Sequence, residues 1–214
     1  MTIRVNFGCG KMPYKNWTNV DNSLAIKLAN SPLLFTFAKL LKLLNTKQIE
    51  NIEWNKKNKI QYMNASKTLP FKDNSVECIY TSHMLEHLSR KSVLSFLSET
   101  LRSLKYNGVI RIAVPDLELI VKKYLNSGDA DNFMRDLFVE PPPIGTIKEK
   151  IILLMIGYRQ HQWMYDGKSL CNLLKNIGFR KVQIFKNGLT QISDPEGLDL
   201  NERSEQSVYV EGVK

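Results

Sequence analysis

Apolar and polar residues alternate at the start of the chain. Ile3, Val5 and Phe7 are separated by Arg4 and Asn6, the period-two pattern of a half-buried strand, and Gly8-Cys9-Gly10 follows at once. Further strands are predicted over 18–20, 60–63, 76–80, 109–114, 181–185 and 207–213. Helical spacing runs between them. Leu94, Leu97, Leu101 and Leu104 recur at intervals of three and four, and Tyr106-Asn107-Gly108 closes that helix with Gly108 in a left-handed position. Asp116 is placed to cap a helix running through Tyr124, and Asp166 to cap one that ends at Gly178. Three prolines at 141–143 halt a helix that begins near Asp129, and another helix is predicted over 146–157. Strands alternating with helices over 214 residues predict one α/β domain on a mainly parallel sheet.

One stretch interrupts the alternation. Residues 22–59 are too long for a simple crossover, and Leu33, Phe37, Leu40, Leu41 and Leu44 form an apolar helical stripe there, with Lys39 and Lys42 away from its centre. Such a helix either packs on the sheet, closes over a substrate pocket, or lies on a lipid surface. Charge bears on the choice. Residues 1–60 carry ten Lys and Arg against three Asp and Glu, whereas the rest carries twenty against eighteen. A basic side of this kind suits an anionic partner: a phosphorylated small molecule, an acidic lipid surface or RNA. It also suits a merely solvated face.

Composition excludes several classes. Hydrophobic content of 43% and charged content of 24% are those of a globular domain. The first residues read as a strand rather than a basic-then-apolar leader, and the apolar run at 151–156 falls far short of the roughly 20 residues of a membrane span. Cys9, Cys78 and Cys171 show neither disulfide nor metal spacing, which predicts a reducing, cytoplasmic setting.

The chemistry begins at the first turn. Gly-x-Gly after a first strand lets backbone approach a ligand closely, and an acid at the end of a second strand can accept both hydroxyls of a ribose; Asp21 stands there. The third glycine of a dinucleotide site is absent, with Pro13 in its neighbourhood, so a nucleoside ligand without pyrophosphate is expected. Asp21 could instead cap the next helix, and Cys9 reads as a small turn residue rather than a reactive thiol.

Seven segments carry a resemblance: "VNFGCG", "WTNVD", "LPFKDNSVECIYTSHMLEHL", "LRSLKYNGVIRIAVPDLE", "HQWMYD", "LLKNIGF" and "SVYVEGVK". In this order they resemble the class I S-adenosylmethionine-dependent methyltransferases of the type-11 group. They are most similar to a subgroup described only as predicted methyltransferases, some of whose members sit among surface-polysaccharide genes. The resemblance implies a Rossmann-like, seven-stranded, mainly parallel sheet with an antiparallel last strand and helices on both faces. It implies S-adenosyl-L-methionine as cofactor, with Gly8, Cys9 and Gly10 around its methionine part, Asp21 on the ribose, Asn64 and Ala65 at the adenine, and Ser82 and His83 on the sulfonium side. Two departures stand out. Lys105-Tyr106-Asn107-Gly108 replaces the usual Lys-Pro-Gly-Gly turn, and Asn64 stands where many members have Asp, so Asn64 could equally be a turn residue.

Methyl transfer is an in-line displacement that asks above all for alignment, and a base is needed only where the acceptor atom holds a proton of high pKa. Candidate bases are His83, His87, His161 and Asp116. Trp163, Tyr165 and Tyr158 form an aromatic group that reads as core packing or as a substrate wall. His83 and His87, with Glu86 between them, would share a helix face, yet no third ligand is evident and no metal is expected. The expected function is methyl transfer to a small-molecule acceptor, an anionic sugar or glycan intermediate suiting the charge, with peripheral membrane contact through 22–59. An RNA-directed methyltransferase or RNA-binding protein is an alternative, disfavoured because no aromatics interleave with the lysine clusters. A non-catalytic protein of the same fold is another, disfavoured by the intact glycines and Asp21. The sequence does not speak to oligomeric state.

Overall fold

The computed structural model describes residues 3–140, 160–195 and 197–214. The helix predicted over 146–157, Tyr158 and the three prolines lie outside them. The seven strands are β1 (Ile3–Phe7), β2 (Thr18–Asp21), β3 (Gln61–Tyr62), β4 (Val76–Ser82), β5 (Leu104–Pro115), β6 (Arg180–Phe185) and β7 (Ser207–Val213). They form one sheet in the order β3-β2-β1-β4-β5-β7-β6. The first five pair in parallel, and β7 runs antiparallel between β5 and β6. The order reverses between β1 and β4, and ligands of open parallel sheets bind beyond the carboxyl ends at such a point.

Strand alternation sorts the two faces. Val5, Phe7, Ile79, Ile110, Ile112 and Val114 join a core built with α4 (Arg90–Ser103) and α7 (Gly167–Ile177). On the opposite face Cys78, Tyr80 and Val109 pack against Trp17, Ile192 and Leu198. The segment carrying Ile192 and Leu198 is irregular, and its anchor is a fully buried ion pair across β5 and β7. Arg111 Nη1 stands 2.6 Å from Glu211 Oε1 and also donates to the Leu189 carbonyl, Arg111 Nη2 donates to the Leu200 carbonyl, and Glu211 accepts from Thr190 Oγ1 and the Gln191 N–H.

The expected caps are present. Asp116 caps α5 (Leu117–Ser127), and Asp166 forms a capping box with Ser169 ahead of α7, which Gly178 ends at φ 115°. The turn before β5 differs from expectation. Its left-handed residue is Asn107 (φ 63°), not Gly108. Gly108 lies inside β5, where an added Cβ would meet the carbonyl oxygens of Lys105 at 2.8 Å and Glu77 at 3.0 Å, so close backbone approach accounts for it.

The 22–59 stretch forms α1 (Leu24–Ala29), α2 (Pro32–Leu40) and α3 (Thr46–Lys57). Ile26 and Ile60 gather around Cys9, and Trp54 of α3 packs against them, which binds α1 and α3 to the glycine turn. Helix α2 does not pack on the sheet: it has no buried residue, and Leu33 and Leu40 are 87% and 77% exposed. α6 (Ala130–Leu137) ends at Phe138, in left-handed conformation at φ 52°, before the prolines are reached.

Candidate active site

The end of β1 is folded onto the end of β2. Gly8 and Cys9 N–H both donate to the Val20 carbonyl at 2.9 and 3.2 Å, and Gly10 N–H donates to Asp21 Oδ2 at 3.1 Å. Gly8 and Gly10 adopt φ of 70° and 50°. An added Cβ at Gly8 would stand 3.0 Å from Met84 Cβ, whereas at Gly10 only the Gly8 carbonyl lies within 4 Å. Asp21 is not a helix cap, since Ser23 caps α1; its Oδ1 accepts from Ser23 N–H at 2.9 Å. Each carboxylate oxygen thus takes one backbone donor and keeps a lone pair for a ligand hydroxyl.

These groups border a cavity of about 690 Å³, whose far wall includes Met63, Ala65 and Ser66 after β3 and Asn51 and Asn55 of α3. Lys11 follows the turn with its ammonium 4.0 Å from the Trp54 ring centre and hydrogen-bonded to Asn51, so α3 rather than α2 closes this side. A bare glycine turn, a carboxylate with free lone pairs and a half-apolar recess fit a nucleoside carrying a methionine chain. Asp21→Ala is expected to weaken S-adenosylhomocysteine binding by about 1.5–3 kcal/mol, read by calorimetry. An unchanged affinity with intact fold would leave Asp21 only its bonds to the Gly10 and Ser23 backbone.

A second cavity, about 920 Å³, meets the first at Gly8, Gly10, His83, His87 and Phe138. Two non-glycine residues at this junction, His83 (φ 48°) and Phe138, hold left-handed backbone, a conformation that concentrates at functional sites. His83 Nε2 bonds Ser207 Oγ at 2.8 Å, and its Nδ1 is 3.5 Å from Glu86 Oε1. Burial, aided by Arg203, lowers the His83 pKa to about 3. Burial, aided by His87, lowers that of His161 to about 4, and burial raises Glu86 to about 7. Beside them Glu202 accepts from the hydroxyls of Tyr14 at 3.0 Å, Tyr80 at 2.9 Å and Ser82 at 2.8 Å.

The structure brings Asp21 and Ala65 to the first cavity, Cys9, Ser82 and His161 to the second, and Gly8, Gly10, His83 and His87 to both. Two predicted residues are engaged elsewhere. Asn64 turns its Oδ1 onto the Ser66 N–H at 2.8 Å, and Asp116 accepts from the Glu118 N–H as a cap; neither lines either of these two cavities. Burial pushes the Cys9 thiol up to about 12, which removes it as a nucleophile. Of the aromatic group, Tyr165 is buried and Trp163 is 48% exposed, with the Arg90 guanidinium 4.7 Å from the Trp163 ring centre and bonded to the Tyr165 hydroxyl. Glu202 and Arg203 were not foreseen, because they reach the site from the irregular segment before β7 and carry no local signal. Glu86 had one, its place between two histidines.

The model of a methyltransferase domain family matches residues 36–112. No curated protein matches. Among solved structures, a methyltransferase from Thermotoga maritima, described as a possible histamine N-methyltransferase, is 17% identical with TM-score 0.50, over 100% of this chain and 83% of its own. A methyltransferase from Methanosarcina mazei is 16% identical with TM-score 0.50, over 99% and 91%. A phosphoethanolamine N-methyltransferase from Haemonchus contortus, solved with S-adenosyl-L-methionine, is 10% identical with TM-score 0.48; this chain spans 49% of its length. The likenesses to the first two concern the fold. The domain match over 36–112, together with a glycine turn and Asp21 that fit the cofactor, supports S-adenosylmethionine-dependent methyltransferase activity on this fold.

Proposed function

We propose that the chain methylates a small, polar, negatively charged acceptor, a sugar or glycan intermediate, held in the second cavity. The observation that carries this reading is that cavity's place and polar lining: it adjoins the cofactor recess at His83 and His87, and Lys11, Arg135 and Arg203 line it together with Glu86, Glu202 and Glu205, while Lys123 is paired with Asp136 at 2.7 Å. When bound, S-adenosylmethionine supplies a methyl group on a positively charged sulfur. The chain's own part is alignment. The glycine turn and Asp21 hold one reactant, the cationic side chains orient the other, and the largely buried His83 side chain stands at the boundary between them. A screen of sugar phosphates and sugar nucleotides, read as acceptor-dependent formation of S-adenosylhomocysteine, tests the reading. Turnover with an anionic sugar supports it. No turnover with any of them, together with RNA retention that survives physiological salt, would overturn it in favour of a nucleic-acid substrate.

We propose further that α2 docks the protein on an anionic membrane surface. Leu33, Leu34, Phe37 and Leu40 are exposed on a helix that borders neither cavity, and Lys39, Lys42 and Lys47 stand exposed beside them. An apolar face flanked by lysines is the pattern of an interfacial helix. Each lysine near such a surface contributes about 1 kcal/mol, so changing all three to Gln is expected to weaken binding to vesicles containing phosphatidylserine by roughly 100-fold. Cofactor affinity should not change. If wild type ignores the vesicles and sediments as a dimer that Phe37→Ser dissociates, the occupant is a second copy.

A further inference from the structure

We propose that Glu86, His87 and His161 form a binding site for one divalent first-row transition-metal ion at the edge of the two cavities. The sequence offered only the His83–His87 pair, and the third ligand arrives from beyond α6. His87 Nε2 and His161 Nε2 lie 4.0 and 3.9 Å from Glu86 Oε1, and the three ligand atoms all fall within 4.8 Å of one another. Ligands about 2.0–2.2 Å from a tetrahedral ion stand roughly 3.3–3.5 Å apart, so side-chain movements of about 1 Å complete the site.

Three further observations point to a cation here. The Glu86 side chain is 1% exposed, yet among the described residues neither carboxylate oxygen has a hydrogen-bond partner and no Lys or Arg lies within ion-pair distance of it. A buried carboxylate is normally paired, hydrogen-bonded or bound to metal. His161 Nδ1 is likewise buried, with no hydrogen-bond partner among the described residues. The His87 ring is already oriented as a ligand: Nδ1–H donates to the Gln160 carbonyl at 3.3 Å, which turns the Nε2 lone pair toward Glu86.

The backbone holds these parts in place. Gln162 and Trp163 N–H both donate to the Glu86 carbonyl, at 2.7 and 3.2 Å, and the Gln162 side-chain amide donates to the His87 carbonyl at 2.8 Å. The irregular run 160–163 is thereby tied to the 3-10 turn at Leu85–His87. Two imidazoles and one carboxylate favour zinc, iron, cobalt or nickel over magnesium or calcium, which prefer all-oxygen sets. Such a set leaves positions open on the side of the second cavity, where oxygen ligands of an acceptor can enter.

The site stands on its own geometry and does not depend on which acceptor is methylated. The test is calorimetric titration of the tag-free, chelator-treated full chain with zinc sulfate. The expected result is one zinc per chain, not displaced by millimolar magnesium, with visible absorption on loading with cobalt(II) instead. His161→Ala and the isosteric Glu86→Gln should each weaken zinc binding at least about 100-fold, since even outer-shell changes reach 10–100-fold. S-adenosylhomocysteine affinity, measured in the same variants, should stay at the wild-type value and reports that the fold is intact. Should His161→Ala lose that affinity, Glu86→Gln decides alone. Absence of stoichiometric zinc binding, or zinc binding unchanged in a folded variant, overturns the proposal and leaves a histidine–carboxylate cluster that serves packing only.

Discussion

Arg111→Met is expected to destabilise the fold by about 3–5 kcal/mol, because it leaves the Glu211 carboxylate buried without its cation. For a chain of this size, that lowers Tm by roughly 6–20 °C. The effect should reach beyond stability. Arg111 also holds the Leu189 and Leu200 carbonyls, and the segment between them leads directly to Glu202 and Arg203 at the second cavity. A double variant, Arg111→Met with Glu211→Leu, removes both charges and should recover a large part of the loss, since a well-packed apolar pair often equals a buried ion pair. Chemical denaturation of the two variants checks this. If the double variant is less stable than the single one by the full cost of a second independent deletion, the pair is not coupled and the reasoning fails.

Gly10→Val is expected to abolish stabilisation by S-adenosylhomocysteine while leaving a folded protein. A Cβ at Gly10 meets no protein atom closer than the Gly8 carbonyl at 4.0 Å, so the added side chain projects into the open cavity that the cofactor needs. The left-handed φ of 50° adds strain of roughly 1–3 kcal/mol for a β-branched residue, visible as a lower Tm without ligand. At 100 times its dissociation constant a ligand contributes about 2.7 kcal/mol to the wild type, and that shift should vanish in the variant. Equal shifts in both proteins would place the cofactor elsewhere. Gly8 offers a contrast: there an added Cβ collides with Met84, so Gly8→Val should damage folding itself.

What the sequence by itself determined is what depends on neighbours along the chain. Ile3–Phe7 with Gly8 and Gly10 makes a strand and a turn through period-two burial and backbone freedom, and Asp21 follows within one short parallel crossover, so the cofactor recess was legible. Asp116 and Asp166 announced their helices for the same reason, because a cap acts over three residues. Even local reading misplaced the left-handed residue before β5 at Gly108. Asn tolerates that conformation too, and only the closeness of the Glu77 carbonyl shows why position 108 must be glycine.

The tertiary structure alone decided which distant side chains meet. An alternating or helical pattern says which face of an element is buried, not which remote segment covers it. Glu211 finds Arg111 only through the antiparallel register of β5 and β7, and Glu202 finds Tyr14, Tyr80 and Ser82 only once the segment before β7 lies across the sheet. His161 reaches Glu86 because backbone donors of 162–163 dock on a carbonyl of the 3-10 turn, a pairing with no sequence period behind it. The stripe on α2 is the converse case. The same spacing of leucines describes a helix packed on a sheet and a helix facing outward, and the difference lies in the hydrophobic contacts that α1 and α3 make with the glycine turn and α2 does not.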